Sequence, residues 1–222
     1  DWTLRQWDLV TGATLRVFDG HLAPALSCAL THDGRQLISA SEDKTLKLWD
    51  LGPAHDSSRS DGHVGAVMSC FLVDGGSLLV TSSEDQTIKL WDPVSGQVQR
   101  TLIGHTDAVS ACAPYPDGKR LVSTSPDGTT VVWDLAAGSE ILRIVSSGAA
   151  RQERSSQPTG AQLAIPSDDH MIELWGMPLD ATRRNESAMV GRIRTCAVTR
   201  DSRYLITGAG DRLLRLWDLN TG

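Results

Sequence analysis

The chain has 222 residues, 40% of them apolar, and charges of both signs that sum to −6. This is an ordinary soluble globular composition with enough chain to bury a large core. The negative balance speaks against a general affinity for nucleic acid or anionic lipid, no apolar run reaches the length of a membrane span, and no basic-then-apolar leader opens the chain at Asp1.

Taken in order, Asp1–Gly12 (DWTLRQWDLVTG) aligns with Asp43–Ala54 and with Asp211–Gly222 (DRLLRLWDLNTG). Trp7, Trp49, Trp91, Trp133, Trp175 and Trp217 stand 42 positions apart. The chain therefore reads as a partial unit, 1–12, followed by the periods 13–54, 55–96, 97–138, 139–180 and 181–222. The period 97–138 shows the local pattern. Val98–Ile103 reads as a first strand, broken by Gly104-His105. Ala108–Ala113 reads as a second, closed by the turn Pro116-Asp117-Gly118. Arg120–Ser125 is a third, Pro126-Asp127-Gly128 a second turn, and Thr129–Trp133 a fourth strand. No segment sustains an apolar period of 3.6, so essentially no helix is predicted.

Leu37, Ile38, Leu79, Val80, Leu121, Val122, Leu205 and Ile206 recur on the third strand and are predicted to form the core between sheets. Cys28, Cys70, Cys112 and Cys196 are one position in four copies, a whole repeat apart. That spacing opposes a disulfide or a converging zinc site and predicts small buried thiols, reduced as in the cytoplasm. The fourth period departs from the rest: Ser146-Ser147 replaces Gly-His, Arg154 takes the cysteine position, Pro166 interrupts the third strand, and Gly176 follows Trp175. The fifth has Ala188-Met189 at Gly-His and a regular second half.

A four-stranded unit of this length, with Gly-His early and Trp-Asp late, resembles the WD-repeat β-propeller family over nearly the whole chain. The resemblance implies an all-β fold of four-stranded antiparallel blades, about five in this chain, as part of a larger ring. Counting strands gives two at the start, four full blades and three at the end; an open edge of that kind points to a piece of a longer polypeptide, ahead of a five-blade closure or a two-chain ring.

His21, Ser39 and Asp43 mimic a nucleophilic triad. The trio recurs as His63, Thr81 and Asp85 and as His105, Ser123 and Asp127, and several equivalent active sites in one small domain are improbable. The family resemblance implies instead a structural hydrogen-bonded chain from each His through Ser or Thr to the indole of Trp49, Trp91 or Trp133, held by the turn Asp. The last period keeps Thr207, Asp211 and Trp217 without the His. His32, His55 and His170 lack metal-ligand spacing, so no metal or cofactor is expected. Gly208-Ala209-Gly210 leads into a strand and not a phosphate-binding helix.

The residue before the turn Asp is Glu42, Glu84, Pro126, Asp168 and Gly210 in successive copies. Glu42, Glu84 and Asp168, with Asp107, are candidates for an acidic mouth that takes a basic peptide. Arg151, Arg154, Arg183 and Arg184 are a candidate second contact surface. The expected function is a non-catalytic protein–protein interaction scaffold. The repeats and the Arg-over-Lys bias resemble bacterial multidomain signalling proteins, which implies a sensor or docking module of a cytoplasmic assembly. A channel-mouth enzyme and a nucleic-acid-binding propeller are the alternatives; the partners expected are other proteins or peptides, with no membrane.

Overall fold

A computed structural model describes residues 2–52, 57–115 and 117–145, and the strand segments 157–159, 162–166, 171–176, 183–187, 193–198, 204–209 and 214–218. All of its regular elements are strands apart from one short 3-10 turn at Asp74–Gly76. By its internal contacts the chain divides into two compact units, residues 1–101 and 102–222.

In unit 1, β1 (Leu4–Trp7) and β2 (Thr14–Phe18) form a two-stranded sheet. A four-stranded sheet follows, in the order β3 (Ala25–Leu30), β4 (Gln36–Ser41), β5 (Thr45–Asp50) and β6 (Ser57–Asp61). The next runs β7 (Val67–Val73), β8 (Leu78–Ser83), β9 (Thr87–Trp91) and β10 (Val98–Ile103), the last two residues of β10 falling past the unit boundary. Unit 2 holds a four-stranded sheet of β11 (Ala111–Pro114), β12 (Arg120–Thr124), β13 (Thr129–Asp134) and β14 (Ser139–Val145). A second comprises β15 (Gln157–Thr159), β16 (Gln162–Pro166), β17 (Met171–Gly176) and β18 (Arg183–Ser187). A three-stranded sheet comprises β19 (Ile193–Val198), β20 (Tyr204–Ala209) and β21 (Leu214–Asp218). The strand census is therefore the one read from the repeats. Each four-stranded sheet takes its fourth strand from the opening of the following period, so sheet and sequence period are out of phase by one strand.

Burial explains the composition of each strand. The second strand of a sheet is covered on both faces, so β4, β8 and β12 are almost continuously buried and read LISAS, LVTSS and LVST, not as an alternation. The fourth strand is the outermost and mostly solvated, as in VQRTLI of β10 and SEILRIV of β14. Neighbouring sheets of unit 1 meet through Ile38, Ala40 and Leu46 on one side and Val67, Cys70, Leu79 and Trp91 on the other. Burying one such Val, Leu or Ile contributes roughly 1.5–3 kcal/mol.

Three expectations are corrected. The second strand of 97–138 begins at Ala111 and not at Ala108. In the sister sheets the equivalent stretch is irregular, with register shifts between Ala25 and Ser27 and between Val67 and Ser69. Cys70 and Cys112 are buried and form no disulfide, but Cys28 is exposed, since it occupies the first four-stranded sheet on the face that Cys70 buries against its neighbour. Ile206 is exposed whereas Ile38, Val80 and Val122 are buried. The side chains of Cys196 and Leu205, and Arg151 and Arg154 altogether, lie outside the described residues, as does Asp168.

Candidate functional site

The turn between the second and third strands fixes the site. Residues 41–44 make a tight turn in which the Lys44 amide donates to the Ser41 carbonyl, and Lys44 adopts φ +71°. Gln86 at φ +70° and Gly128 at φ +82° stand at the same place in the next two repeats. This geometry aims the Asp43 carboxylate inward. Its Oδ1 accepts the Thr45 amide (2.9 Å) and hydroxyl, and its Oδ2 accepts the Leu22 amide (2.9 Å). The Asp43 amide in turn donates to Ser41 Oγ at 3.0 Å.

The structure brings His21, Ser39, Asp43 and Trp49 together. His21 Nδ1 lies 2.8 Å from Asp43 Oδ2, His21 Nε2 lies 2.7 Å from Ser39 Oγ, and the Trp49 indole N–H donates to Ser39 Oγ at 2.8 Å. His63, Thr81, Asp85 and Trp91 repeat the arrangement at 2.8, 2.8 and 2.7 Å, and His105, Ser123, Asp127 and Trp133 at 3.2, 2.7 and 2.8 Å. The proton direction follows from the chemistry of the groups. An indole N–H only donates and a carboxylate only accepts. The hydroxyl accepts from Trp and gives its own proton to His Nε2, and His gives Nδ1–H to Asp. A neutral imidazole satisfies every atom of this chain. Ser39, Thr81 and Ser123 are fully buried, with the indole N–H on the oxygen a nucleophile would use.

Thr207 and Trp217 lie on β20 and β21 in the backbone register of their siblings: Leu205 faces Trp217 as Leu37 faces Trp49. Asp211 lies outside the described residues. Glu42 and Glu84 are exposed in unit 1, their amides donating to the Pro24 and Ala66 carbonyls at 3.0 Å. Asp107 is exposed in unit 2.

Two sets of residues escaped the sequence reading. Thr45, Thr87 and Thr129 each donate a hydroxyl to their turn Asp, and an Asp-x-Thr spacing repeated three times was the available signal. The Asp that follows the repeating Trp closes the next turn. Oδ1 of Asp8, Asp92 and Asp134 accepts the amides two and three residues on, and Gly12, Gly96 and Gly138 end those turns at φ near +70°.

A family model described as "WD domain, G-beta repeat" matches residues 12–50, 57–92, 96–134 and 186–218, more than half of the chain. The chain belongs to the WD-repeat family. The matches omit 135–185, which contains the irregular fourth period. No curated protein matches the chain. WD-repeat domains generally mediate protein–protein interaction and are generally non-catalytic. Among the described residues no helix is long and apolar enough to cross a membrane.

The WD-repeat network carries a pH dependence. Burial works to raise the pKa of Asp43, but the Thr45 hydroxyl, the Leu22 amide, the His21 ring and the Thr45 amide outweigh it and hold the carboxyl at about 2, below its ordinary 3.8. Asp85 and Asp127 are lowered against the same opposing burial, by Thr87 and His63 and by Thr129 and the Thr106 amide. Burial pushes His63 and His105 below their ordinary 6.5, more than Asp85 and Asp127 raise them. In every case the folded state binds protons less readily than the unfolded chain, so stability is full above the unfolded pKa and falls with acidification. Melting temperature is expected to decline first below pH 6.5, from His63 and His105, and again between 3.8 and about 2, where Asp43 contributes on the order of 1 kcal/mol after solvent screening. Calorimetry across pH 8 to 2 checks this; a melting temperature that rises between pH 7 and 5.5 would mean that the rings are cationic in the fold.

Proposed function

We propose that this WD-repeat domain is a non-catalytic docking scaffold, the sensor or docking module of a larger cytoplasmic regulatory assembly, and that one loop face of unit 1 takes an extended basic segment of a partner protein. The observation that carries this reading is a doubled pattern. The residue before each turn Asp is an exposed acid, Glu42 or Glu84. The residue after each buried His is an exposed aliphatic, Leu22 at 75% and Val64 at 80%. Asp43 and Asp85 tie the two loops together through the Leu22 and Val64 amides. Each of the two repeats thus pairs an exposed acid with an exposed aliphatic side chain on loops tied together by the buried network, which suits a partner segment carrying both basic and apolar side chains. The triad-like groups support a structural and not a nucleophilic role, because their hydroxyls are sealed beneath the loops and already bonded at both ends.

The test is a fluorescence anisotropy titration with a labelled peptide of alternating Arg and Leu. The double variant Glu42→Lys/Glu84→Lys is expected to bind at least tenfold more weakly, about 1.4 kcal/mol, and binding to the parent is expected to weaken with salt. Equal affinity for parent and variant would remove the reading. Tight, salt-sensitive binding of duplex DNA by the parent would favour the nucleic-acid alternative.

A further inference from the structure

The contact between neighbouring sheets can be compared from one repeat to the next. Between the two-stranded sheet and the first four-stranded sheet, Phe18 packs with Leu37 and Trp49, and Leu4 and Leu51 pack against that cluster. The Phe18 ring lies 5.7 Å from the Trp49 ring. One period later Leu4, Leu37 and Trp49 recur as Leu46, Leu79 and Trp91, which meet in the next contact of unit 1. The two residues that complete the first contact do not recur. Pro93 takes the place of Leu51. Ser60 takes the register position of Phe18, opposite Leu46 as Phe18 is opposite Leu4. A further period on, the same two positions in unit 2 are Leu102 and Leu135, both buried.

A groove of about 460 Å³ stands in this second contact. Buried Leu46, Leu79 and Trp91 line it, with Leu48 and Pro93, both half-buried, and Val94, which is 94% exposed. A complete four-stranded sheet stands on each side, so the groove is interior to the run of repeats. It lies by the turn 92–97 that follows β9, whereas Glu84 belongs to the turn that precedes β9. The groove and the acidic loops are therefore at opposite ends of one strand. Its volume is in the range that holds a compact apolar group.

We propose that this groove is a second docking site, which takes a Phe and a Leu side chain from an extended segment of a partner protein. The occupant follows from the chain's own repeats. The equivalent contact one period earlier is completed by a phenyl ring and an isobutyl group, at Phe18 and Leu51, and a partner that supplies both restores the same packing, ring beside indole. Aromatic anchors of this kind are enriched at the centres of protein interfaces. The site stands apart from the basic-segment reading of the acidic loops and does not depend on it.

Fluorescence anisotropy on the whole chain tests this with a labelled, end-blocked and uncharged Gly/Ser peptide. It carries one Phe and one Leu two residues apart, and so on one side of an extended backbone. The parent is expected to bind with a dissociation constant of roughly 100 µM or tighter. Salt is expected to leave this binding unchanged, and Glu42→Lys/Glu84→Lys to bind equally well, unlike the basic peptide at the acidic loops. Pro93→Leu restores the sibling side chain, and Leu48→Gln puts on the wall the residue that the first contact carries as Gln6. Each variant is expected to bind at least tenfold more weakly. Both introduce a residue that a sibling repeat already accommodates; circular dichroism checks that each keeps the parent's sheet signal, and where one does not, the other decides. A parent that does not bind, or a folded variant that binds as tightly as the parent, overturns the proposal. So does self-association of the parent that Pro93→Leu abolishes, which would assign the groove to a second copy, and so does blocked phenylalanine binding as tightly as the peptide, which would assign it to a small molecule.

Discussion

Gly62→Ala is expected to destabilise the first unit by roughly 3 kcal/mol and to lower the melting temperature by roughly 6–12 °C. The reason is steric. A Cβ on Gly62 would intrude on the Cη2 edge of the Trp91 indole and lie 3.0 Å from its Cζ3. Trp91 cannot retreat, because it is among the most deeply buried side chains and its N–H is held by Thr81. The Gly before each network His is thus the floor on which the next indole lies: Gly104 repeats the contact with Trp133, at 2.8 Å, and Gly20 with Trp49, at 3.2 Å. Gly34→Ala is the control. It faces open space at φ +67°, so only backbone strain acts, and its expected cost is about 1 kcal/mol. Thermal melts that rank Gly34→Ala as the more damaging change would refute the packing argument.

Asp85→Ala is expected to cost about 3–4 kcal/mol. Asp85 accepts His63 Nδ1, the Val64 amide, and the Thr87 amide and hydroxyl, so truncation strands four donors beneath two loops. Asp85→Asn keeps one acceptor oxygen but turns an amide donor toward another donor, and about half of the loss is expected. Chemical denaturation measures both. The stability of Asp85→Ala should also depend less on pH below 3.8, since one of the depressed carboxyls is gone. An Asp85→Ala chain as stable as the parent, with a hydrolytic activity lost, would reverse the structural assignment of the network.

The period of 42 made the architecture readable because the sheets of the first three full periods solve the same problem with the same residues. Each must bury two faces, so the second strands LISAS and LVTSS are apolar or small throughout. The recurrence of the His, Ser or Thr, Asp and Trp positions was legible for the same reason, while their joining into one hydrogen-bonded chain was what the family resemblance implied. What repetition could not convey was context. Cys28 and Cys70 are the same letter in the same register, yet one is exposed and the other buried, because covering depends on the neighbouring sheet and not on the local string. Ile206 differs from Ile38 for that reason too. The hydroxyls of Thr45, Thr87 and Thr129 went unnoticed because Thr at the start of a strand is already explained by β propensity.

The one-strand offset between sheet and period bears on how such a chain can lengthen or shorten. Excising any 42 consecutive residues from the regular part joins two halves that already match, and each remaining four-stranded sheet still receives its fourth member from downstream. A lone period, cut out and left to itself, would carry a first strand whose partners lie in another sheet. Gain and loss of whole periods is therefore a neutral edit at the junction, whereas growth by any other increment would break a sheet.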